Sequence, residues 1–226
     1  MRPNPLIAAA DFSDAVAAER LAEELAGLVA FVKVGLELFT AAGPSVVERI
    51  RSHAPVFLDL KLHDIPATVR AAARNVARLG AELLTVHALG GIDMVKAAVE
   101  GVAEGASASG VSPPQVVAVT VLSSVGGEGL ASPASLAFEA KTAGATGAVA
   151  SGADVRAVRE AVGADMTLVV PGIRPGSQPE NDHVRVLSPG EALELGADLI
   201  VVGRPITGAP DPAAAARGIL REIGLA

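Results

Sequence analysis

Residues 56–88, VFLDLKLHDIPATVRAAARNVARLGAELLTVHA, hold one copy of the pattern that decides the fold. An apolar run (VFLDLK) leads into a segment with helical spacing (PATVRAAARNVARLGA), and a second apolar run (LLTVHA) follows. Outward from this unit, similar runs recur along the chain: LIAAAD, FVKVG, QVVAVTVL, GAVAS, TLVVPGI and LIVVGR. Each is rich in Val, Leu, Ile and Ala without clean alternation, as expected of strands covered on both faces. Segments such as SDAVAAERLAEELAGL between them have helical spacing, and helix-start signals agree. Ser188-Pro189 with Glu191 reads as a cap, a proline at the first helical position and a capping-box acid, and Asp211-Pro212 opens the last helix likewise.

Eight alternations of strand and helix predict an α/β fold, a (β/α)8 TIM barrel, with residues 1–226 as a single domain. A doubly wound open sheet uses the same units, but no G-x-G-x-x-G follows the first strand. No linker or low-complexity tract divides the chain, and Ser123–Pro133, SSVGGEGLASP, is the loop expected to move most.

Composition narrows the function. The formal net charge is -7, and the only aromatics are five Phe, so the basic footprint and stacking platforms of nucleic-acid binding are missing. The absence of cysteine excludes disulfides, thiolate metal sites and cysteine nucleophiles. The first apolar run is too short for a signal-peptide core, and no later run is long enough to span a bilayer, so a cytoplasmic location away from membranes is expected. The four histidines have no metal-ligand spacing, and no metal site is assigned.

Barrel chemistry collects at the C-terminal ends of strands. Those ends carry Asp11, Lys33, Asp59 with Lys61, His87, Thr120 to Ser123, Pro171 to Arg174, and Gly203-Arg204. Alternation places Leu58, Leu60 and Leu62 toward the helices and Asp59, Lys61 and His63 toward the barrel mouth. Opposite charges this close attract by about 4 kcal/mol at an effective dielectric near 20, so an acid beside Lys61 keeps its ammonium charged and aimed. A structural ion pair would explain Asp59 and Lys61 alone. Asp64 and Lys33 make the set larger than one salt bridge requires. In PGIRPGSQPENDH and VVGRPIT, Gly172 and Gly203 permit close backbone approach while Arg174 and Arg204 offer forked donors, a combination suited to a phosphorylated ligand.

With these stretches in view, DLKLHDIPATV resembles the signature of the orotidine 5′-phosphate decarboxylase family, D-x-K-x-x-D-I-P-x-T. AAADF, FVKVG, VTVLSS, PGIR and VVGRPIT continue the resemblance, in family order, across nearly the whole chain. It implies a homodimer that converts orotidine 5′-phosphate to uridine 5′-phosphate in pyrimidine synthesis, with no metal or organic cofactor. Lys61 matches the lysine that protonates carbon 6, and Asp59 and Asp64 match its flanking acids. Asp64 and Thr68 would come from the partner subunit. Lys33 and Asp11 match residues that hold the ribose hydroxyls and extend the charge network. Ser123 falls against the pyrimidine, Pro171 among the substrate-binding residues, and Arg174, Gly203 and Arg204 on the phosphate.

One pair departs from the family pattern. Where many relatives carry Asp-Gln against the phosphate, this chain has Asp182-His183, and His183 is either a phosphate contact or a solvent-facing loop residue. His87 reads as a satisfied core histidine, and His63 as support for its loop. Two rival functions share the barrel. Sugar-phosphate relatives use the same D-x-K-x-x-D core with magnesium, but the I-P-x-T that follows it favours the nucleotide enzyme. A non-catalytic phosphate-binding barrel would be expected to lose one of Lys33, Asp59, Lys61 and Asp64, and all four are present.

Overall fold

The computed structural model describes residues 3–121, 131–176 and 187–225. In chain order these form β1 (Leu6–Ala10), α1 (Ala15–Glu24), β2 (Phe31–Gly35), α2 (Leu36–Ala42), α3 (Ser45–Arg51), β3 (Val56–Leu62) and α4 (Pro66–Ala77). There follow β4 (Leu83–His87), a 3-10 turn, α5 (Gly91–Ser109), β5 (Gln115–Val119), α6 (Pro133–Thr142), β6 (Gly147–Val149) and α7 (Val155–Val162). The last elements are β7 (Thr167–Val170), α8 (Pro189–Glu194), β8 (Leu199–Val202), α9 (Arg204–Thr207) and α10 (Pro212–Glu222). The eight strands are parallel and close in sequence order, β8 pairing with β1. Seven lie inside the apolar runs, and β3 extends one residue past VFLDLK, to Leu62. The helices do not follow a strict one-per-strand count: β2 and β8 are each followed by two.

Strand alternation sorts the core into two sets. Ile7, Ala9, Phe57, Leu83, Val117, Val169 and Val201 fill the barrel interior. Leu6, Ala8, Leu58, Leu60, Leu84 and Val86 join the layer between strands and helices. Both expected caps form: Ser188 and Glu191 close a reciprocal capping box, and Asp211 accepts from the Ala214 N–H at 2.8 Å. Satisfying these otherwise orphaned N–H groups sets where α8 and α10 begin.

The helices α4 and α5 touch backbone to backbone. A Cβ added to Gly101 would lie 2.3 Å from the Arg70 carbonyl oxygen, and one on Gly105 would lie 2.1 Å from that of Arg74. Over this contact, Arg70 Nε donates to Glu104 at 3.0 Å and its guanidinium pairs with Glu100 at 3.3 Å. The exposed pairs add little, whereas the close approach of the two backbones fixes the spacing. It therefore anchors α4, whose first turn carries Thr68.

Gly105→Ala is expected to destabilise the protein by about 1–3 kcal/mol, because a fixed backbone carbonyl stands where the methyl would go. In a circular-dichroism melt each lost kcal/mol lowers Tm by about 2–4 °C. Gly218→Ala in α10, where nothing lies within 4 Å of the new carbon, should raise stability by up to about 1 kcal/mol.

Candidate active site

The D-x-K stretch does its work through a break in β3. Phe57 and Leu58 pair with Leu83 and Leu84, but the next matched pair is Leu62 with Val86. Four steps along β3 thus face two along β4, a bulge of the kind that re-aims side chains near barrel rims. Within it Lys61 has φ 50, the only non-glycine among the described residues with positive φ. A left-handed lysine costs about 1–2 kcal/mol. Leu58 and Leu60 remain in the outer layer, Leu62 packs against it, and Asp59 and Lys61 line the cavity at the mouth as alternation predicts, whereas His63, past the end of β3, is exposed and does not line it.

Four charges alternate along this mouth. Lys33 Nζ lies 2.7 Å from Asp11 Oδ1 and 3.5 Å from Asp59 Oδ2, while Lys61 Nζ lies 2.8 Å from Asp59 Oδ1. Lys33 is 8% exposed and the Asp59 side chain 13%, whereas Asp11 is open to solvent. Burial by itself would raise the Asp59 pKa. The charge of Lys33, the hydrogen bond and charge of Lys61, and the Thr85 hydroxyl outweigh that and hold it below the ordinary carboxylate value.

The same cavity, about 780 Å³, is also lined by Pro171, Gly172, Arg174, Gly203 and Arg204. Gly172 has φ 77, in the left-handed region that favours glycine, and Gly203 precedes the short α9. Arg204 is exposed and makes no ion pair among the described residues. An apolar recess of about 190 Å³, formed by Phe57, Val119, Val121, Val149, Val169 and Val201, adjoins Lys61 and Asp59. The arrangement offers cations for an anionic ligand, a positioned proton donor, and a water-poor pocket beside it.

Nine of the residues singled out from sequence therefore share one cavity: Asp11, Lys33, Asp59, Lys61, Pro171, Gly172, Arg174, Gly203 and Arg204. Asp64 and Thr68 do not line it. Both are exposed on the segment from β3 into α4, where the Asp64 carboxylate accepts from the Ile65 N–H at 2.6 Å. Ile65 is extended, as the following proline requires, and Pro66 starts the helix, so I-P fixes the corner that presents them. Ser123 and His183 lie outside the described residues, as does most of the Ser123–Pro133 loop.

The expected satisfied core histidine is a correction. His87 is only part-buried, its Nδ1 has no hydrogen-bond partner among the described residues, and its ring sits 5.3 Å from that of His63. Burial, then the neighbouring His63 and Lys61, lower its pKa, with Asp59 opposing. Thr120 turns away from the site role its strand end suggested, being buried with its hydroxyl donating to the Val149 carbonyl at 2.8 Å.

Two features escaped the sequence reading. Ser151, which lines both the cavity and the recess, ends the GAVAS run and was readable as a strand-end residue. Thr85, a lone hydroxyl inside LLTVHA, bonds to Asp59 and to the Lys61 backbone. Its only signal was one polar residue in an apolar run. Among the described residues no group of three or more His, Cys, Asp or Glu side chains is placed to hold a metal ion.

Fold and site together define a class: (β/α)8 barrels that set an alternating lysine–aspartate array beside a Gly/Arg-lined anion site at the strand C-termini. Within it, the family model described as "Orotidine 5'-phosphate decarboxylase / HUMPS family" matches residues 4–219. An orotidine 5'-phosphate decarboxylase of Paramagnetospirillum magneticum is 47% identical over 98% of this chain and 99% of its own. One of Anaeromyxobacter sp. is 52% identical over 97% of this chain and 98% of its own. The crystal structure of orotidine 5'-phosphate decarboxylase from Lactobacillus acidophilus superposes with a TM-score of 0.84 at 39% identity, covering 98% of this chain and 100% of that one. The chain belongs to the orotidine 5′-phosphate decarboxylase / HUMPS family.

Asp59→Asn should cost about 3 kcal/mol at pH 7, because it leaves two lysines without their shared counter-charge. Asp59 has a folded pKa below its ordinary 3.8, so its contribution is present above that value and is lost as pH falls through the folded one. Urea unfolding from pH 7 to pH 3 should therefore show a gap between variant and parent that holds down to pH 3.8 and begins to narrow only below it.

Proposed function

We propose that the chain decarboxylates orotidine 5′-phosphate to uridine 5′-phosphate and carbon dioxide, the last step of pyrimidine synthesis, in the cytoplasm. The observation that carries this reading is a lysine ammonium held 2.8 Å from a part-buried carboxylate, in the same cavity as an arginine suited to phosphate. Relatives of that name match along almost the full chain. Among the described residues no helix is long and apolar enough to cross a membrane.

In the proposed mechanism the bond from carbon 6 to the carboxylate breaks, and its electron pair stays on carbon 6. Carbon dioxide departs, and the Lys61 ammonium gives that carbon a proton, becoming a neutral amine. Little delocalisation is available to such a carbanion, so nearby positive charge and a ready proton are what the site must supply. Asp59 keeps Lys61 charged and aimed, and Lys33 and Asp11 continue the array toward the ribose hydroxyls. Pro171, Arg174, Gly203 and Arg204 surround the phosphate end, and Ser123 and His183 complete the pyrimidine and phosphate contacts. Binding energy from a phosphate remote from carbon 6 is available to organise the reacting end.

Asp64 and Thr68 act on the partner's substrate in a homodimer. Their exposure supports this, as does that of Ile65 between them, a large apolar side chain left 66% exposed. Mixed and refolded Lys61→Ala and Asp64→Ala chains should recover activity that neither has alone. Statistical mixing yields one intact site per heterodimer, about a quarter of all sites. No recovery would assign Asp64 to its own chain's site or to none.

The direct assay follows the absorbance of orotidine 5′-phosphate with and without EDTA. Turnover should be unaffected by the chelator and should fall by at least about 100-fold in Lys61→Ala. Arg204→Ala should lower kcat/KM for the nucleotide by about 10- to 100-fold and leave phosphate-free orotidine nearly unaffected. Turnover confined to a sugar phosphate with magnesium would move the chain to the other branch of its family.

A further inference from the structure

Among the described residues only three polar or charged side chains are buried: Lys33, Thr85 and Thr120. Lys33 belongs to the charge array, and Thr120 ties its own strand to β6 through the Val149 carbonyl. Thr85 is fully buried, and both its hydrogen bonds lead to the reacting pair. Its Oγ1 donates to Asp59 Oδ1 at 3.0 Å and accepts from the Lys61 backbone N–H at 2.8 Å. A hydroxyl has one proton, so giving it to the carboxylate leaves the oxygen's lone pairs for the amide.

The position of that amide makes the contact informative. Between Leu58 and Leu62 the register of β3 slips against β4, and Thr85 sits between Leu84 and Val86, where the slip falls. The Lys61 N–H therefore bonds to a side chain of β4 instead of continuing the regular ladder. Lys61 holds φ 50 there, a conformation that lasts only where the surroundings over-determine it. A valine would fill nearly the same volume, so packing alone does not call for the hydroxyl.

We propose that Thr85 is a positioning residue for catalysis, one that holds the left-handed Lys61 backbone and the Asp59 carboxylate in mutual register so that the ammonium points at carbon 6. The inference rests on the reading of Lys61 as proton donor. Thr85 touches no substrate and acts through its two partners.

The test compares Thr85→Val and Thr85→Ser with the parent and Lys61→Ala on orotidine 5′-phosphate. Losing a buried hydrogen bond to a charged group predicts a fall of about 10- to 100-fold in kcat for the valine variant, with KM changed much less. The serine variant, which keeps the hydroxyl, should stay within about threefold of the parent. The acid limb of the valine variant's kcat–pH profile should move to higher pH, since Asp59 loses a hydrogen bond that favours its carboxylate. Parent-like kcat and pH profile in Thr85→Val would overturn the proposal. So would loss of folding in both Thr85→Val and Thr85→Ala while Thr85→Ser folds, since the hydroxyl would then serve the fold. A crystal structure of Thr85→Val separates this inference from the functional one. A Lys61 φ near 50 with its Asp59 contact intact would overturn the positioning role whatever the enzyme's substrate, whereas an inactive parent would overturn only the functional reading.

Discussion

A part-buried carboxylate shared by two ammonium groups is the constraint around which this molecule is arranged. Asp59 is mostly removed from water, and a lone carboxylate there would be driven toward its neutral form. Lys33 on β2 and Lys61 on β3 reverse that tendency, and the acid between them in turn aims the buried Lys33 and the part-buried Lys61. The pairs are mutually dependent, which is typical of networks whose individual members are weak evidence of stability but strong evidence of a defined geometry.

Barrel closure supplies what that geometry needs. Parallel strands in sequence order bring the ends of β1, β2 and β3 side by side, so Asp11, Lys33 and Asp59 become neighbours although they are far apart in the chain. Closure of β8 onto β1 brings Gly203 and Arg204 to the same mouth. Below the charges the interior is apolar, from Phe57 to Val201, and excludes the water that would otherwise screen them. Outside, the tight α4–α5 contact at Gly101 and Gly105 steadies the segment that presents Asp64 and Thr68.

Most of the fold was legible in the primary structure because its signals are local. All eight strands start within apolar runs, β3 passing the end of its run by one residue, and the caps at Ser188 and Asp211 form as their spacing predicts. The additional helices after β2 and β8 were not legible. The α2–α3 break falls at Gly43-Pro44, and α9 is a four-residue turn too short to leave a period. The site was legible to the extent that alternation and strand ends mark inward residues, which located Asp59, Lys61 and the two arginine-bearing loops. His87 was misread because its surroundings, His63 included, come from another strand end.

The period-two placement of Asp59 against Leu58 and Leu60, the helix starts and the alternation of strand with helix are relations between near neighbours. A chain states such relations by itself. The left-handed backbone of Lys61, its bond to Thr85 and the convergence of Arg204 on the same cavity depend on register between strands distant in sequence. No local pattern encodes that register. It follows from closing eight twisted strands into one barrel and satisfying every buried polar group that closure traps.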